Sequence, residues 1–419
     1  MLFLSMVVFE EFILENGLKV IVHPDPSVQV AVINILYDVG SRDEHPDKTG
    51  FAHLFEHLMF GGSKNIPSYD EPLQLVGGEN NAFTSTDITN YYLTVPAANV
   101  ETGFWLESDR MMSLSFDPNV LEVQRKVVIE EFKQRYLNQP YGDVWLKLRP
   151  LAYTSHPYSW ATIGKEISHI ENATMDDVRN FFFTHYLPSN AVLVVAGNVT
   201  KEQVKTLAEK YFAPIPAGKK IGRQLPTEPK QTQKRTLTVD AKVPANALYK
   251  TWHMAGRFTP QYYATDFVSD MLSRGQSSRL YQKLVKEREI FTSISSFVMG
   301  TIDPGMLVVS GRVKEGVTLE QAEAEVDAVV ADFKINMNER ELEKVKNQAL
   351  ATLEFGEVEV LNRAMNLAFA SLSGDASLIN KEGDIISSVQ LTDVSRVAND
   401  VLREENASVM YYQAVDNKK

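Results

Sequence analysis

The chain has 419 residues, no cysteine and a formal net charge of −12. The missing cysteine excludes disulfides, thiolate metal ligands and cysteine nucleophiles. The acidic balance, which no basic stripe offsets, argues against a protein that binds nucleic acid or anionic membranes. A chain of this length is too long for one core, and we expect two domains of about 200 residues each.

The first nine residues are apolar, but they lack basic residues before them and a small-residue cleavage site after them. Nowhere does an apolar run approach the roughly 20 residues that span a bilayer. We therefore expect a cytoplasmic protein with no membrane association.

The first elements follow from local patterns. Alternating apolar residues on both sides of Asn16-Gly17 predict a hairpin. A β-rich run over 28–39 predicts a long strand, and a polar loop over 40–48 leads to a helix for which Thr49 is a candidate N-cap. Further helical patterns occupy 98–113 and 119–138.

That first helix carries the main chemical signal. His53 and His57 are four residues apart and Glu56 is three from His53, so all three project from one helical face. Two imidazoles one turn apart can bind the same zinc ion, and a nearby carboxylate that is not a ligand can take a proton from water held by the metal. The alternative is a helix with two core histidines whose ring nitrogens are satisfied by backbone carbonyls.

The second half of the chain repeats the plan of the first. Residues 213–235 contain four prolines among Lys, Gly and Gln, which predicts a linker. Strand-like runs and long helices then follow in a similar order, which indicates an old duplication. We predict a metal-bearing domain over 1–212, a linker over 213–235 and a second domain of similar fold without the metal site over 236–419.

Three motifs together resemble the pitrilysin and insulin-degrading-enzyme family of zinc peptidases. They are His53-Leu-Phe-Glu56-His57 with the following Leu-Met-Phe-Gly-Gly, Asn81-Ala-Phe-Thr-Ser, and Thr89-Asn-Tyr-Tyr92. Length and layout are most similar to the branch around the mitochondrial processing peptidase and its bacterial relatives. The resemblance implies an α+β fold of two similar domains, each a mostly antiparallel sheet with helices packed on one face.

The resemblance also implies a third zinc ligand on a later helix. Matching Val127 to Glu131 with the family's usual run assigns that role to Glu131, which lies 131 − 57 = 74 positions after His57. Adjacent helical residues point about 100° apart, so Glu130 is expected to be a solvated or outer-shell carboxylate, unless the two are reversed. Gln124 stands where family members often carry another glutamate, and we expect it to act only by hydrogen bonding.

Asn81, Ala82, Phe83 and Thr84 resemble the family's substrate-binding edge strand, which pairs with the peptide backbone beside the zinc. Without the zinc motif, an ordinary core hairpin would be an equally good interpretation. His156, His169 and His185 lie outside the motifs, and we expect core or surface roles for them.

The second half departs from the family pattern. Val285 and Thr292 stand where active second domains place an arginine and a tyrosine, and Arg288 is one helical turn from the first position. We therefore expect a related partner chain to supply those groups, in a heterodimer, with a homodimer as the alternative.

The preferred interpretation is a zinc-dependent endopeptidase that hydrolyses short or unfolded peptides, with one zinc ion per chain. His53, His57 and Glu131 would be the ligands, and Glu56 the catalytic base. The alternative is a weakly active or non-catalytic peptide-binding or assembly subunit of a two-chain complex.

Overall fold

A computed structural model describes residues 6–218 and 222–415 and divides the chain into two compact units. The boundary between residues 225 and 226 falls inside the predicted linker. The units nevertheless exchange two segments relative to the predicted domains, because 135–159 belongs to unit 2 and 353–382 to unit 1. The linear boundaries at 212 and 235 thus do not coincide with those of the compact units.

Unit 1 is built on a six-stranded sheet in the order β1-β2-β6-β3-β5-β4. All strand pairs are antiparallel except β2 with β6. Strand β4 is last in the order and therefore forms one edge of the sheet. The predicted hairpin is present: Gly17 adopts a φ of +89° and its N–H donates to the Leu14 carbonyl. The strands are β1 Glu10–Ile13, β2 Lys19–Pro24, β3 Val30–Tyr37, β4 Glu79–Thr84, β5 Thr89–Pro96 and β6 Ala191–Gly197.

Eight α-helices precede β7 in the described part of the chain, and the fifth of them lies in the 135–159 segment of unit 2. A capping box at Thr174, with Asp177 as its acidic member, starts the seventh of them. They are α1 Phe51–Leu58, α2 Asp70–Leu75, α3 Val100–Met112, α4 Pro118–Phe132, α5 Val144–Ala152, α6 Ile167–Glu171, α7 Met175–His185 and α8 Lys201–Tyr211.

Unit 2 contains a five-stranded sheet in the order β7-β11-β8-β10-β9. The pair β7 and β11 is parallel and all others are antiparallel. This arrangement matches β2-β6-β3-β5-β4 of unit 1 strand for strand, so β9 is the counterpart of β4. The remaining elements of the chain, of which α12 belongs to unit 1, are β7 Arg235–Ala241, β8 Ala247–His253, α9 Pro260–Ser273, β9 Phe291–Met299, β10 Met306–Val313, α10 Leu319–Asn336, α11 Glu339–Gly356, α12 Val360–Leu372, α13 Leu378–Ser388, α14 Leu391–Val401 and β11 Ala407–Ala414.

The α+β class and the mostly antiparallel sheets agree with prediction, but helices cover both faces of each sheet rather than one. In unit 1, α12 packs on the β3 face that presents Val32 and Leu36. The opposite face meets α3 so closely that a Cβ on Gly103 would lie 2.3 Å from Cδ1 of Ile33. This double cover explains why β3 is buried along almost its whole length.

Unit 2 has the same double cover. On one face Val144 and Leu148 of α5 pack against Tyr249, and on the other Lys250 forms an ion pair with Glu323 of α10. Consecutive strand residues face opposite sides of a sheet, so the two contacts define two covered faces. In the described part of the chain, no helix combines the length and apolar character needed to cross a bilayer.

Candidate metal centre

The helix α1 turns an apolar side into the core and a polar side outward. Phe51, Leu54, Phe55 and Leu58 are buried, while His53, Glu56 and His57 are half-buried. Helical spacing of three and four residues therefore places the three polar groups together, as predicted.

A second helix brings the carboxylate that completes the cluster. Helix α4 begins with Pro118 after Asp117, whose side chain accepts from the N–H of Asn119. At the far end of α4, Glu131 Oε2 lies 3.7 Å from Nε2 of His53 and 3.5 Å from Nε2 of His57. One ligand atom from each residue falls within 4.8 Å of the other two, and no other such metal-binding group occurs in the described ranges.

This donor set suits zinc. Zinc takes neutral imidazole nitrogens at about 2.0–2.1 Å and carboxylate oxygens at about 2.0–2.2 Å, which requires ligand atoms within about 4 Å of one another. The distances of 3.7 and 3.5 Å to the Glu131 carboxylate meet that requirement. Three protein ligands would leave one coordination position of a zinc ion to water or substrate, as in catalytic rather than structural zinc sites.

The adjacent residue on α4, Glu130, points away from the cluster. The Glu130 side chain is 59% exposed and accepts a hydrogen bond from Lys133 Nζ at 2.7 Å. Gln124 is half-buried two turns before Glu131 on the same helix. The structure thus separates the two adjacent glutamates in the sense that the sequence resemblance implied.

Glu56 contacts the edge strand of the sheet. Thr84, the last residue of β4, donates its hydroxyl hydrogen to Glu56 Oε2 at 2.6 Å. In the same strand, Phe83 is 39% exposed, and the N–H of Ala82 donates to the side-chain oxygen of Asn81. The predicted substrate-binding residues therefore form a strand at the sheet edge, with Thr84 directed at the predicted base.

The start of α1 is held by a residue that sequence reasoning missed. The buried Glu44 carboxylate accepts hydrogen bonds from the N–H groups of Gly50 and Ala52 at 2.9 and 2.8 Å, and from the indole N–H of Trp160 at 3.1 Å. Burial raises the pKa of Glu44 to about 8, although these hydrogen bonds favour the charged form. Glu44 lies in a polar loop where no periodic pattern distinguishes it from a solvated acid.

The predicted N-cap role of Thr49 is wrong for a related reason. The N-cap residue is Gly50, which has no side chain that could cap the helix. The Thr49 hydroxyl accepts from the Lys165 N–H at 2.8 Å and lies 2.8 Å from Nδ1 of His169, so it is engaged there and does not cap α1. His169 consequently has a structural role at the start of α1.

A buried ionic and aromatic cluster lies beside the far end of α1. The Arg110 guanidinium makes two hydrogen bonds to Glu107, at 2.8 and 2.6 Å. Its Cζ lies 4.5 Å from the ring centroids of both Tyr69 and Tyr91 and 5.3 Å from that of Phe60. Phe60 follows the last residue of α1 by two positions, so this cluster anchors the C-terminal end of α1.

The second-half positions singled out by the resemblance lie in unit 2. Val285 is half-buried in a short π-helix over 281–287, and Thr292 is exposed on β9. Arg288 is exposed and forms an ion pair with Glu325. Arg288 is therefore already engaged within its own unit.

In a comparison with known proteins, each half of the chain matches a family model. Residues 19–157 match the family model described as Insulinase (Peptidase family M16), and residues 172–349 match the one described as Peptidase M16 inactive domain. A protein named Zinc protease PqqE from Helicobacter pylori is 28% identical over 425 residues, covering 96% of this chain and 92% of that protein. A probable mitochondrial-processing peptidase subunit beta from Arabidopsis thaliana is 29% identical over 204 residues, covering 48% and 38%.

The fold agrees with these matches. The crystal structure of a protease from Helicobacter pylori superposes with a TM-score of 0.90 at 27% identity, over 97% of this chain and 99% of that one. The motif-based resemblance to the insulin-degrading-enzyme family and to mitochondrial processing peptidase is confirmed. The chain belongs to peptidase family M16.

Proposed function

We propose that the chain is a zinc metalloendopeptidase that hydrolyses short or unfolded peptides. The observation that carries this proposal is the juxtaposition, on one face of α1, of a three-ligand cluster and an additional carboxylate. His53, His57 and Glu131 converge within 4.8 Å, whereas Glu56 is not a member of that group and accepts a hydrogen bond from Thr84. A purely structural metal site has no use for the extra carboxylate.

His53, His57 and Glu131 would hold the ion, which would supply Lewis acidity for the scissile carbonyl and ease the deprotonation of water. Glu56 then acts as the general base and accepts the proton of the attacking water. The same carboxyl, now protonated, gives that proton to the leaving amine when the C–N bond breaks.

The edge strand β4 supports a peptide as the substrate. Because β4 has a neighbour on one side only, it can accept an extended chain on the other through main-chain hydrogen bonds. The N–H of Ala82, which donates to the Asn81 side chain, could donate to a peptide carbonyl instead. Pairing of this kind needs an extended substrate, so folded proteins would be poor substrates.

Glu56→Gln is the test, with a quenched fluorescent peptide library as substrate and zinc content measured in parallel. A peptidase loses turnover in this variant while it keeps zinc and binds peptide. A chain that only binds peptides, which is the alternative function, would show no turnover before the substitution and unchanged binding after it. Turnover that survives the substitution would contradict the proposal.

We also propose a partner, on the grounds that Val285 and Thr292 replace the arginine and tyrosine that the family resemblance leads one to expect, and that Arg288 is paired with Glu325. A related chain that carries both groups would complete the site in a heterodimer, with a homodimer as the alternative. The test is peptide hydrolysis by the purified chain before and after mixing with such a paralogue. An unchanged rate would remove the case for a heterodimer.

A further inference from the structure

The contact between Thr84 and Glu56 is short and is the only hydrogen bond of this carboxylate to the described residues. Its 2.6 Å distance lies at the short end of the range for hydrogen bonds donated by a hydroxyl. No lysine or arginine in the described ranges forms an ion pair with Glu56. Its second oxygen, Oε1, therefore has no hydrogen-bond donor among the described residues.

The strand fixes the direction of the Thr84 hydroxyl. Exposure alternates along β4, so Thr84 and Ala82 face inward, whereas Asn81 and Phe83 face outward. Thr84 pairs with Thr89, and the Ser85 N–H donates to the Ile88 carbonyl just beyond it. A β-branched side chain at such a position has few accessible χ1 values.

Unit 2 offers an internal comparison. Its edge strand β9 is the counterpart of β4, and its helix α9 follows β8 as α1 follows β3. There the hydroxyls of Ser269 on α9 and Ser296 on β9 lie 3.1 Å apart. Two neutral hydroxyls thus suffice to join helix and edge strand, whereas unit 1 uses a carboxylate.

We infer that Thr84 is a positioning residue that orients Glu56 for proton transfer, and that its side chain does not bind substrate. This inference rests on the proposed function. With Oε2 engaged by Thr84, one carboxylate rotamer is favoured and Oε1 is left to take the proton and return it. Proton transfer depends steeply on such alignment. Peptide would pair with the backbone of β4, which a change in this side chain leaves in place.

The test is Thr84→Val, which removes the donor at nearly constant volume, together with Thr84→Ser, which retains it. We expect kcat of the valine variant to fall about tenfold, equivalent to about 1.4 kcal/mol, with KM and zinc content unchanged. The serine variant should restore most of kcat. Ser269→Ala, which removes the unit 2 contact, should leave kcat unaltered.

Any other distribution of the effect between kcat and KM would overturn the inference. A raised KM with unchanged kcat would make Thr84 a substrate-binding residue. Unchanged kcat and KM would make the contact irrelevant to catalysis, and failure of the serine variant to recover would show that the methyl group, not the hydroxyl, matters.

A second measurement does not depend on activity. In denaturant unfolding, Thr84→Val should lower the midpoint in the wild-type chain but not in a Glu56→Ala background, because the lost hydrogen bond is then absent already. Equal shifts in the two backgrounds would show that the hydrogen bond does not form in solution. If the wild type hydrolyses no peptide, the proposed function fails while this result remains informative.

Discussion

Glu131 brings its carboxylate to within 3.5 Å of Nε2 of His57 across two different helices. The adjacent Glu130 points away and pairs with Lys133. Two neighbouring acids of similar chemistry thus differ in surroundings, which makes them a matched pair for experiment.

Glu131→Gln removes a zinc ligand. It should therefore weaken zinc binding by more than the factor of about 10–100 that is typical when a residue supporting a ligand is changed. Glu130→Gln should leave zinc affinity unchanged, since it removes only an exposed ion pair. Competition with a chromophoric chelator measures both constants. The opposite ranking would mean that Glu130 is the ligand.

Local sequence patterns predicted only part of this centre, and the reason is physical. His53, Glu56 and His57 lie within five residues, so helix geometry alone brings them to one face. Glu131 is far along the chain, and its assignment came from family resemblance because no local pattern links two helices. Their convergence required the packing of α1 against α4.

The exchanged segments could not be read from the sequence. An amphipathic pattern shows that α5 and α12 each have an apolar side, but not which sheet that side will cover. The same limit applies to Glu44. Whether a carboxylate in a polar loop is solvated or buried depends on residues such as Trp160, more than 100 positions later.

Glu44 should prove necessary for the integrity of the metal helix. Glu44→Gln replaces one of the two acceptor oxygens by an NH2 group, which cannot accept a hydrogen bond. Either the Ala52 N–H, or the N–H groups of Gly50 and Trp160 together, then lose their acceptor, at a cost of about 1–3 kcal/mol. We expect a lower unfolding free energy and weaker zinc binding. Asp47→Asn changes a highly exposed acid of the same loop and should alter neither. Equal unfolding free energies for the two variants would refute the capping role.

Arg110 should be among the least replaceable core residues. Arg110→Met would leave Glu107 buried without its cation, and breaking such a pair costs about 3–5 kcal/mol. Adding Glu107→Gln should recover part of that loss because no uncompensated charge remains. Unfolding in urea measures both steps. A double variant less stable than the single one would show that the charge on Glu107 is not the source of the penalty.

In unit 2, Glu323 should make the free energy of unfolding depend on pH in the acid range. Although burial opposes it, hydrogen bonds from Lys234, Lys250 and Tyr411 lower the pKa of Glu323 to about 2. A carboxyl with a lowered pKa in the folded state stabilises fully above its ordinary pKa of 4.5, and this contribution disappears as the pH falls towards about 2.

The wild type should therefore be more stable than Glu323→Gln at neutral pH. The difference should shrink below pH 4.5, where the carboxylate takes up a proton in the unfolded chain while it stays charged in the folded one. Glu320→Gln, at an exposed position one turn earlier in α10, should follow the wild-type curve throughout. Denaturant unfolding at a series of pH values between 7 and 3 provides the comparison. A difference that stayed constant over that range would mean that Glu323 acts through its shape and neutral hydrogen bonds, and that its charge contributes nothing to the stability of unit 2.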